Sequence, residues 1–255
     1  MSLFDLAGKH AVVIAGTSTL GSAMAEGLAR HGARVAVVGR SADAAKDVVG
    51  RIEQAGGVAA PFAADVTSKD DLAGLLDQVT GWAGNVRVLL NCPGINSATP
   101  FFELEMDEWT EIMDVNAGGV VRVCQVFGEH MTGHGEGGSI INISSASAGP
   151  PLSKVFSYSA SKAAVDNMTQ FLAREFAPRG VRVNAIVPGF FPAEQNRKIL
   201  SDERVETIMS HTPMGRFGEP GELAGTAVWL ASDEASGFVT GALIRVDGGF
   251  GAMTI

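Results

Sequence analysis

Residues 10–40 read HAVVIAGTSTLGSAMAEGLARHGARVAVVGR. HAVVIAG (10–16) is an apolar run of strand length with no polar alternation, the mark of a strand covered on both faces. Leu20, Ala23, Met24, Gly27 and Leu28 then recur at helical spacing, and RVAVVG (34–39) reads as a second strand. A helix between two strands makes them parallel, because only a crossover returns the chain in the same direction. The turn flanked by Gly16 and Gly21 points backbone N–H groups and a helix N-terminus at one spot, which favours an anion such as a pyrophosphate. Thr17, Ser18 and Thr19 add hydroxyl donors, and Gly27 is expected to let the helix lie close on the sheet.

The same alternation runs to the end of the chain. ADAAKDVVGRIEQAG (42–56) reads as a helix stopped by glycine, and GVAAPFAAD (57–65) reads as a third strand despite Pro61. A helix is expected from about 69 to 82, a strand at VRVLLN (86–91), and one long helix from Asp107 to about Met131. SIINISS (139–145) is a fifth strand, Tyr158–Phe176 a long helix, and VRVNAIVPG (181–189) a sixth strand. A loop-rich stretch then carries Pro192, Pro213 and Pro220, and a helix at 221–231 and a strand at ALIRVDGG (242–249) close the pattern. Apolar strands separated by helices predict an α/β fold, a doubly wound parallel sheet of about seven strands with helices on both faces. No linker divides the pattern, so residues 1–255 read as a single domain. Ligands of such sheets sit beyond the carboxyl ends of the strands.

Composition narrows the function. With 255 residues and 46% hydrophobic residues the chain can bury a large core. A net charge of -9 argues against nucleic acid as a partner, since that needs a basic surface. There is no long uncharged apolar run for a membrane span and no leader pattern at the N-terminus. Two cysteines, Cys92 and Cys124, are too few for a disulfide framework or a zinc site, so a cytoplasmic location is expected. His130 and His134 share the spacing of helical metal ligands, but glycines surround them and no third ligand is evident, so no metal is expected. Glu103 and Glu105 precede a helix and read as solvated.

The end of the second strand carries Gly39 and Arg40, where an acidic residue would bind a ribose 2'-hydroxyl. Arginine pairs with phosphate, so NADP(H) is favoured and NAD(H) is the alternative. Further along comes ISSASAGPPLSKVFSYSASKAAV (143–165). Tyr158 and Lys162 stand at i and i+4 on one helix face, and Ser145 ends the fifth strand. A free tyrosine, with a pKa of about 10, exchanges protons poorly at neutral pH, and a neighbouring ammonium is expected to lower it. A serine hydroxyl can hold a carbonyl oxygen beside the phenol, as general acid catalysis requires.

With that serine, tyrosine and lysine behind a nucleotide-binding first half, the whole chain resembles the short-chain dehydrogenase/reductase family. Asp65 in AADVTS, with Val66, matches the family's adenine pocket, and NCPG (91–94) its N-N-A-G motif through Asn91 and Gly94. Asn116 in DVNAGG matches the active-site asparagine, Pro188–Gly189 the P-G after the sixth strand, and VTGALIRVDGG the C-terminal strand. The resemblance implies a Rossmann-type fold and a hydride transfer between a nicotinamide cofactor and a carbonyl or alcohol. It assigns proton transfer to Tyr158, ribose binding and pKa lowering to Lys162, substrate orientation to Ser145 and a water-linked relay to Asn116. Gly16, Thr17, Ser18, Leu20, Gly21, Arg40, Asp65, Val66, Asn91, Gly94, Tyr158, Lys162, Pro188, Gly189 and Phe191 are the expected cofactor-binding set. Two departures stand out. The T-G-x-x-x-G-x-G loop is one residue short here, with Ala15 for its threonine, and Cys92–Pro93 replaces Asn-Ala.

The substrate lid of the family falls at about 190–218. PGFFPAEQNR (188–197) and HTPMGRFGEP (211–220) resemble the branch of D-mannonate oxidoreductases, also called fructuronate reductases. Gln195, Asn196 and Arg197 would suit a polyhydroxy carboxylate, with Phe190 and His211 as further substrate contacts. Two alternatives are a 3-oxoacyl carrier-protein reductase, for which GEHMTGHGEGGS (128–139) offers no basic docking face, and a non-catalytic nucleotide sensor. The resemblance also implies a homo-oligomer, commonly a tetramer, built on the two long helices and the last strand. Ala117, Gly118, Gly119, Ala163 and Ala164 are small enough for close helix contact.

Overall fold

A computed structural model describes residues 2–192 and 201–253. Its strands are β1 (His10–Ile14), β2 (Arg34–Gly39), β3 (Val58–Ala63), β4 (Val86–Asn91), β5 (Gly138–Ile143), β6 (Val181–Pro188) and β7 (Leu243–Val246). All pair in parallel, in the order β3-β2-β1-β4-β5-β6-β7. The helices among the described residues are α1 (Thr19–Arg30), α2 (Ala42–Gln54), α3 (Lys69–Ala83), α4 (Met106–Met113), α5 (Gly119–Gly133), α6 (Phe156–Phe176), α7 (Asp202–Ser210), α8 (Glu222–Ala231) and α9 (Asp233–Ser236).

Alternate strand residues feed two cores. Val13 and Val37 meet Met24 and Leu28 of α1, Val48 and Ile52 of α2, and Leu223 and Val228 of α8. Val12, Ile14 and Val38 meet Leu72 and Leu75 of α3, Val120 and Phe127 of α5, and Val165 of α6. This two-sided burial is why the strands read as continuous apolar runs. β3 is an edge strand, where a residue without an N–H such as Pro61 is tolerated. No described helix is long and apolar enough to cross a membrane.

Two expectations are corrected. A Cβ at Gly27 would lie 2.6 Å from Ala224 Cβ, so this glycine admits α8 to α1 rather than α1 to the sheet. The single helix expected from Asp107 is α4, a π-helical turn at Asp114–Gly118, and α5 in continuous succession. A π turn inserts an extra residue without ending the helix, so apolar periodicity alone does not reveal it. The strand order reverses between β1 and β4, and the crevice at their carboxyl ends is where the candidate site lies.

Candidate active site

The shortened glycine loop forms a closed turn. Ala15 takes a φ of +54°, in the left-handed region, and turns the chain sharply out of β1. The Gly16 N–H donates to Val38 O at 2.8 Å, tying the turn to β2. Ser18 is extended and caps α1, its Oγ accepting from the Gly21 N–H at 3.1 Å. A Cβ at Gly21 would sit 2.3 Å from the Ala15 carbonyl oxygen, so only glycine lets the loop close on the helix. Thr19 and Leu20, whose N–H groups have no partner inside a helix, line the cleft beside it.

Two cavities of about 440 and 330 Å³ share Pro93, Gly94 and Ile95 and make one cleft across the ends of β1 and β4. Thr17, Gly39, Arg40, Asp65 and Val66 line the first. A Cβ at Gly39 would come within 2.8 Å of Thr17 Cγ2, so the loop's approach leaves no room for an acidic side chain at this strand end. The next residue, Arg40, is exposed at the cleft. Asp65 Oδ1 accepts from the Thr67 N–H at 2.8 Å and its hydroxyl at 2.7 Å, and these bonds hold the carboxyl below its usual range. Asn91 departs from expectation. Its side chain is fully buried and donates to Asn142 Oδ1 at 2.9 Å, tying β4 to β5, and it does not line the cleft.

Ser145, Tyr158 and Lys162 line the second cavity with Pro188, Gly189 and Phe191. Ser145 follows β5 in extended conformation, and its Oγ accepts from the Ser147 N–H at 3.2 Å and hydroxyl at 3.1 Å. Lys162 Nζ is buried and donates to Ile143 O at 2.9 Å and Pro93 O at 3.2 Å, so the carbonyl of the Pro93 that replaces alanine serves as a lysine anchor. Burial pushes this ammonium down to about 8. Burial raises the Tyr158 phenol above its ordinary value, while the Ser145 hydroxyl draws it back. The expected lowering by Lys162 is thus not realised here. Lys162 Nζ stands 5.7 Å from the Tyr158 ring centre, bound to backbone carbonyls instead.

Asn116 sits in the π-helical turn, fully buried. Its Oδ1 accepts from the Ile95 N–H at 2.8 Å, and its Nδ2 donates to Ile95 O at 2.9 Å and Ser161 Oγ at 3.0 Å. The side chain therefore joins the loop after β4 to α6, fixing the cleft floor under Lys162. Phe190 and His211 lie outside both cavities, their rings 5.3 and 5.5 Å from that of Phe250. Phe191 packs against Gly218, where a Cβ would overlap its ring. Gln195, Asn196 and Arg197 lie outside the described residues.

The sequence reading passed over Ile143, Ser144 and Asn96 as cleft residues, and Arg204, whose guanidinium donates to Ser153 Oγ at 3.0 Å, joining α7 to the loop before Tyr158. Ser144 was adjacent to a residue singled out, but nothing in the pattern marks Arg204. The His130 and His134 rings are engaged with the backbone of Val86, at 3.1 and 3.2 Å.

A dinucleotide-cradling turn joined to a Ser, Tyr and Lys cluster defines a nicotinamide-dependent oxidoreductase of the short-chain type. A family model described as Enoyl-(Acyl carrier protein) reductase matches residues 14–251, and the chain belongs to the short-chain dehydrogenase/reductase family. It is an NAD(P)-dependent oxidoreductase acting on CH–OH groups. The Bacillus subtilis protein called uncharacterized oxidoreductase UxuB is 40% identical over 96% of each chain. Among solved structures, a Haemophilus influenza protein assigned as a D-mannonate oxidoreductase, with bound NAD, is 33% identical at a TM-score of 0.92, covering 98% of this chain and 97% of that one. A gluconate 5-dehydrogenase from Burkholderia cenocepacia, in complex with NADP and tartrate, is 32% identical at a TM-score of 0.93, covering 98% of both.

Proposed function

We propose that the protein is an NADP(H)-preferring dehydrogenase of sugar acids, interconverting a secondary alcohol and a ketone on a hydroxylated carboxylate. The observation that carries the reading is the single cleft that runs from Arg40, past the Gly16–Gly21 turn, to Ser145, Tyr158 and Lys162. The residues fit a dinucleotide. Glycine at 21 leaves room for the turn, Thr19 and Leu20 present a helix N-terminus to a pyrophosphate, and Asp65 and Val66 border the adenine end. Arg40, exposed at the cleft, would hold a 2'-phosphate, and Gly39 leaves no carboxylate to compete with it. The bound nicotinamide supplies or accepts the hydride.

The chain's own residues move the proton. In reduction the Ser145 hydroxyl holds the substrate oxygen and the Tyr158 hydroxyl donates to it; in oxidation the Tyr158 phenolate removes the alcohol proton. Lys162 would hold the nicotinamide ribose, and its ammonium, turned from the backbone carbonyls toward the phenol, would favour that phenolate. Asn116 is a positioning residue that holds the Ile95 loop and Ser161. Sugar acids are supported by the relatives with gluconate and mannonate in their names and by Arg204, a cation next to the loop that leads to Tyr158. We also infer a homo-oligomer through the groove of about 620 Å³ between α5 and α6, where Val121 and Phe171 are exposed. Gly119 has a different use: a Cβ there would lie 3.0 Å from Val66, so it serves packing inside the chain.

The test is a titration with NADPH and NADH, followed by turnover of mannonate, gluconate and their keto forms, with a carrier-protein thioester as comparator. Tight NADPH binding and turnover confined to the sugar acids is the expected result. Turnover of the thioester alone would overturn the substrate class, and tight cofactor binding with no turnover of any carbonyl would favour a nucleotide sensor.

A further inference from the structure

Tyr158, Lys162 and Asp166 follow at i, i+4 and i+8 on α6 and share one stripe of the helix. The first two line the cleft, and the third lies one turn deeper. Asp166 Oδ1 is buried with no hydrogen-bond partner, and so is the hydroxyl of Ser144, which lies beside that carboxylate without completing a bond to it. A buried carboxylate atom left unsatisfied is costly, and such a group calls for a role.

The surroundings supply one. Lys162 is a buried cation whose two hydrogen-bond partners, Ile143 O and Pro93 O, are both neutral. Its titratable neighbours are few, and of them only Asp166 carries a charge near neutral pH. Cys92 approaches from the loop after β4, Tyr158 precedes it by one turn of α6, and Asp166 follows it by one turn. Arg245 on β7 is close enough to act on the Asp166 carboxylate, and is itself drawn to Asp247 at 3.5 Å. The segment Ile143–Ser145 is therefore held twice, by Lys162 at Ile143 and by the Ser144 N–H, which donates to Ile186 O at 2.9 Å.

We propose that Asp166 is a positioning residue for the Tyr158–Lys162 pair: one turn along the same helix stripe, its carboxylate is the counter-charge that keeps the buried Lys162 ammonium protonated. The inference rests on Lys162 acting as a cation in the proposed reaction, but not on any substrate. Without Asp166, Lys162 sheds its proton at lower pH, and the phenolate of Tyr158 loses its nearest cation over a wider pH range.

The test reads Lys162 directly, by nuclear magnetic resonance of protein carrying lysine labelled at Cε, with the signal assigned by a Lys162→Met variant. Asp166→Asn should lower the Lys162 titration midpoint by on the order of one pH unit, the size of a partly screened charge interaction at this range. Asp166→Glu, which keeps the charge, should hold it near the parent value. Should Asp166→Asn fail to fold, Arg245→Gln removes the rival cation and should raise the midpoint. A midpoint unmoved in Asp166→Asn while thermal stability changes, or unmoved in Arg245→Gln where that variant decides, would overturn the proposal. Because no substrate enters the measurement, its failure stays separate from failure of the sugar-acid reading.

Discussion

Gly21→Ala tests whether the shortened loop depends on the close approach seen at the start of α1. In an ordinary helix position the change stabilises, since alanine is favoured over glycine by about 1 kcal/mol. Here the new methyl would stand 2.3 Å from the Ala15 carbonyl oxygen and 2.8 Å from Ser18 Oγ. Both neighbours must move. Loss of the Ser18 cap costs about 1 kcal/mol, and overpacking against backbone costs about 1–3 kcal/mol more. Less the helix gain, the net destabilisation is about 1–3 kcal/mol, or a fall in Tm of roughly 3–10 °C for a chain of this size. The displaced turn also carries Thr19 and Leu20 away from their places in the cleft, so NADPH affinity should fall at least about tenfold, the equivalent of about 1.4 kcal/mol. Thermal unfolding with and without NADPH reads both quantities, because ligand bound only to the folded state raises Tm according to its Kd. Gly74→Ala, in the interior of α3 with nothing within 4 Å of the added methyl, is the control and should stabilise by about 0.5–1 kcal/mol. A Gly21→Ala protein as stable as the Gly74→Ala one, with parental NADPH affinity, would refute the steric reasoning.

Four further outcomes are expected. Arg40→Ala should weaken NADPH binding about 10- to 100-fold, the worth of a charge-assisted hydrogen bond, and leave NADH nearly unchanged; equal losses for both cofactors would remove the phosphate contact. Tyr158 is the sole tyrosine of the chain, so tyrosinate absorbance reports it alone; without cofactor its midpoint should lie above the ordinary value of about 10, as burial demands, and a midpoint below that value would contradict the site's electrostatics. His130 Nε2 accepts the Val86 N–H, and burial and then the neighbouring His134 lower its pKa; the unfolded chain binds that proton near pH 6.5, so stability should be level above about 6.5 and fall as pH drops below it, by up to about 1.4 kcal/mol per pH unit. Urea unfolding of His130→Gln, which keeps an acceptor, should show a shallower acid slope, and an identical slope would exclude this histidine. Phe171→Glu on α6 should shift the protein to a smaller assembly by light scattering, whereas an unchanged mass would place the interface elsewhere.

Most of the sheet was legible because its inner strands are covered on both faces, so their residues had to be apolar without alternation, as in HAVVI and SIINI. The two misreadings have separate physical causes. Gly27 advertised a close approach but not the partner, because α8 arrives from nearly two hundred residues away and Ala224 carries no mark of the contact. The π-helical turn at Asp114–Gly118 keeps helical backbone and apolar periodicity on both sides, so only hydrogen-bond geometry reveals it. The site divides in the same way. Ser145, Tyr158 and Lys162 could be named from spacing, because two share a helix face and the third lies just past the end of a strand. Their electrostatics could not. The sequence puts an ammonium one turn from a phenol and so predicts a lowered phenol pKa. The fold buries both and gives the lysine two carbonyls, so the phenol rises instead. Asp166 lies at the next step of the same stripe and was equally visible as a letter. What makes it consequential is Ser144 from the end of β5 and Arg245 from β7, which only the assembled sheet brings to it. Spacing along one helix therefore identifies which groups face the chemistry, while the charge each carries there is set by strands distant in sequence.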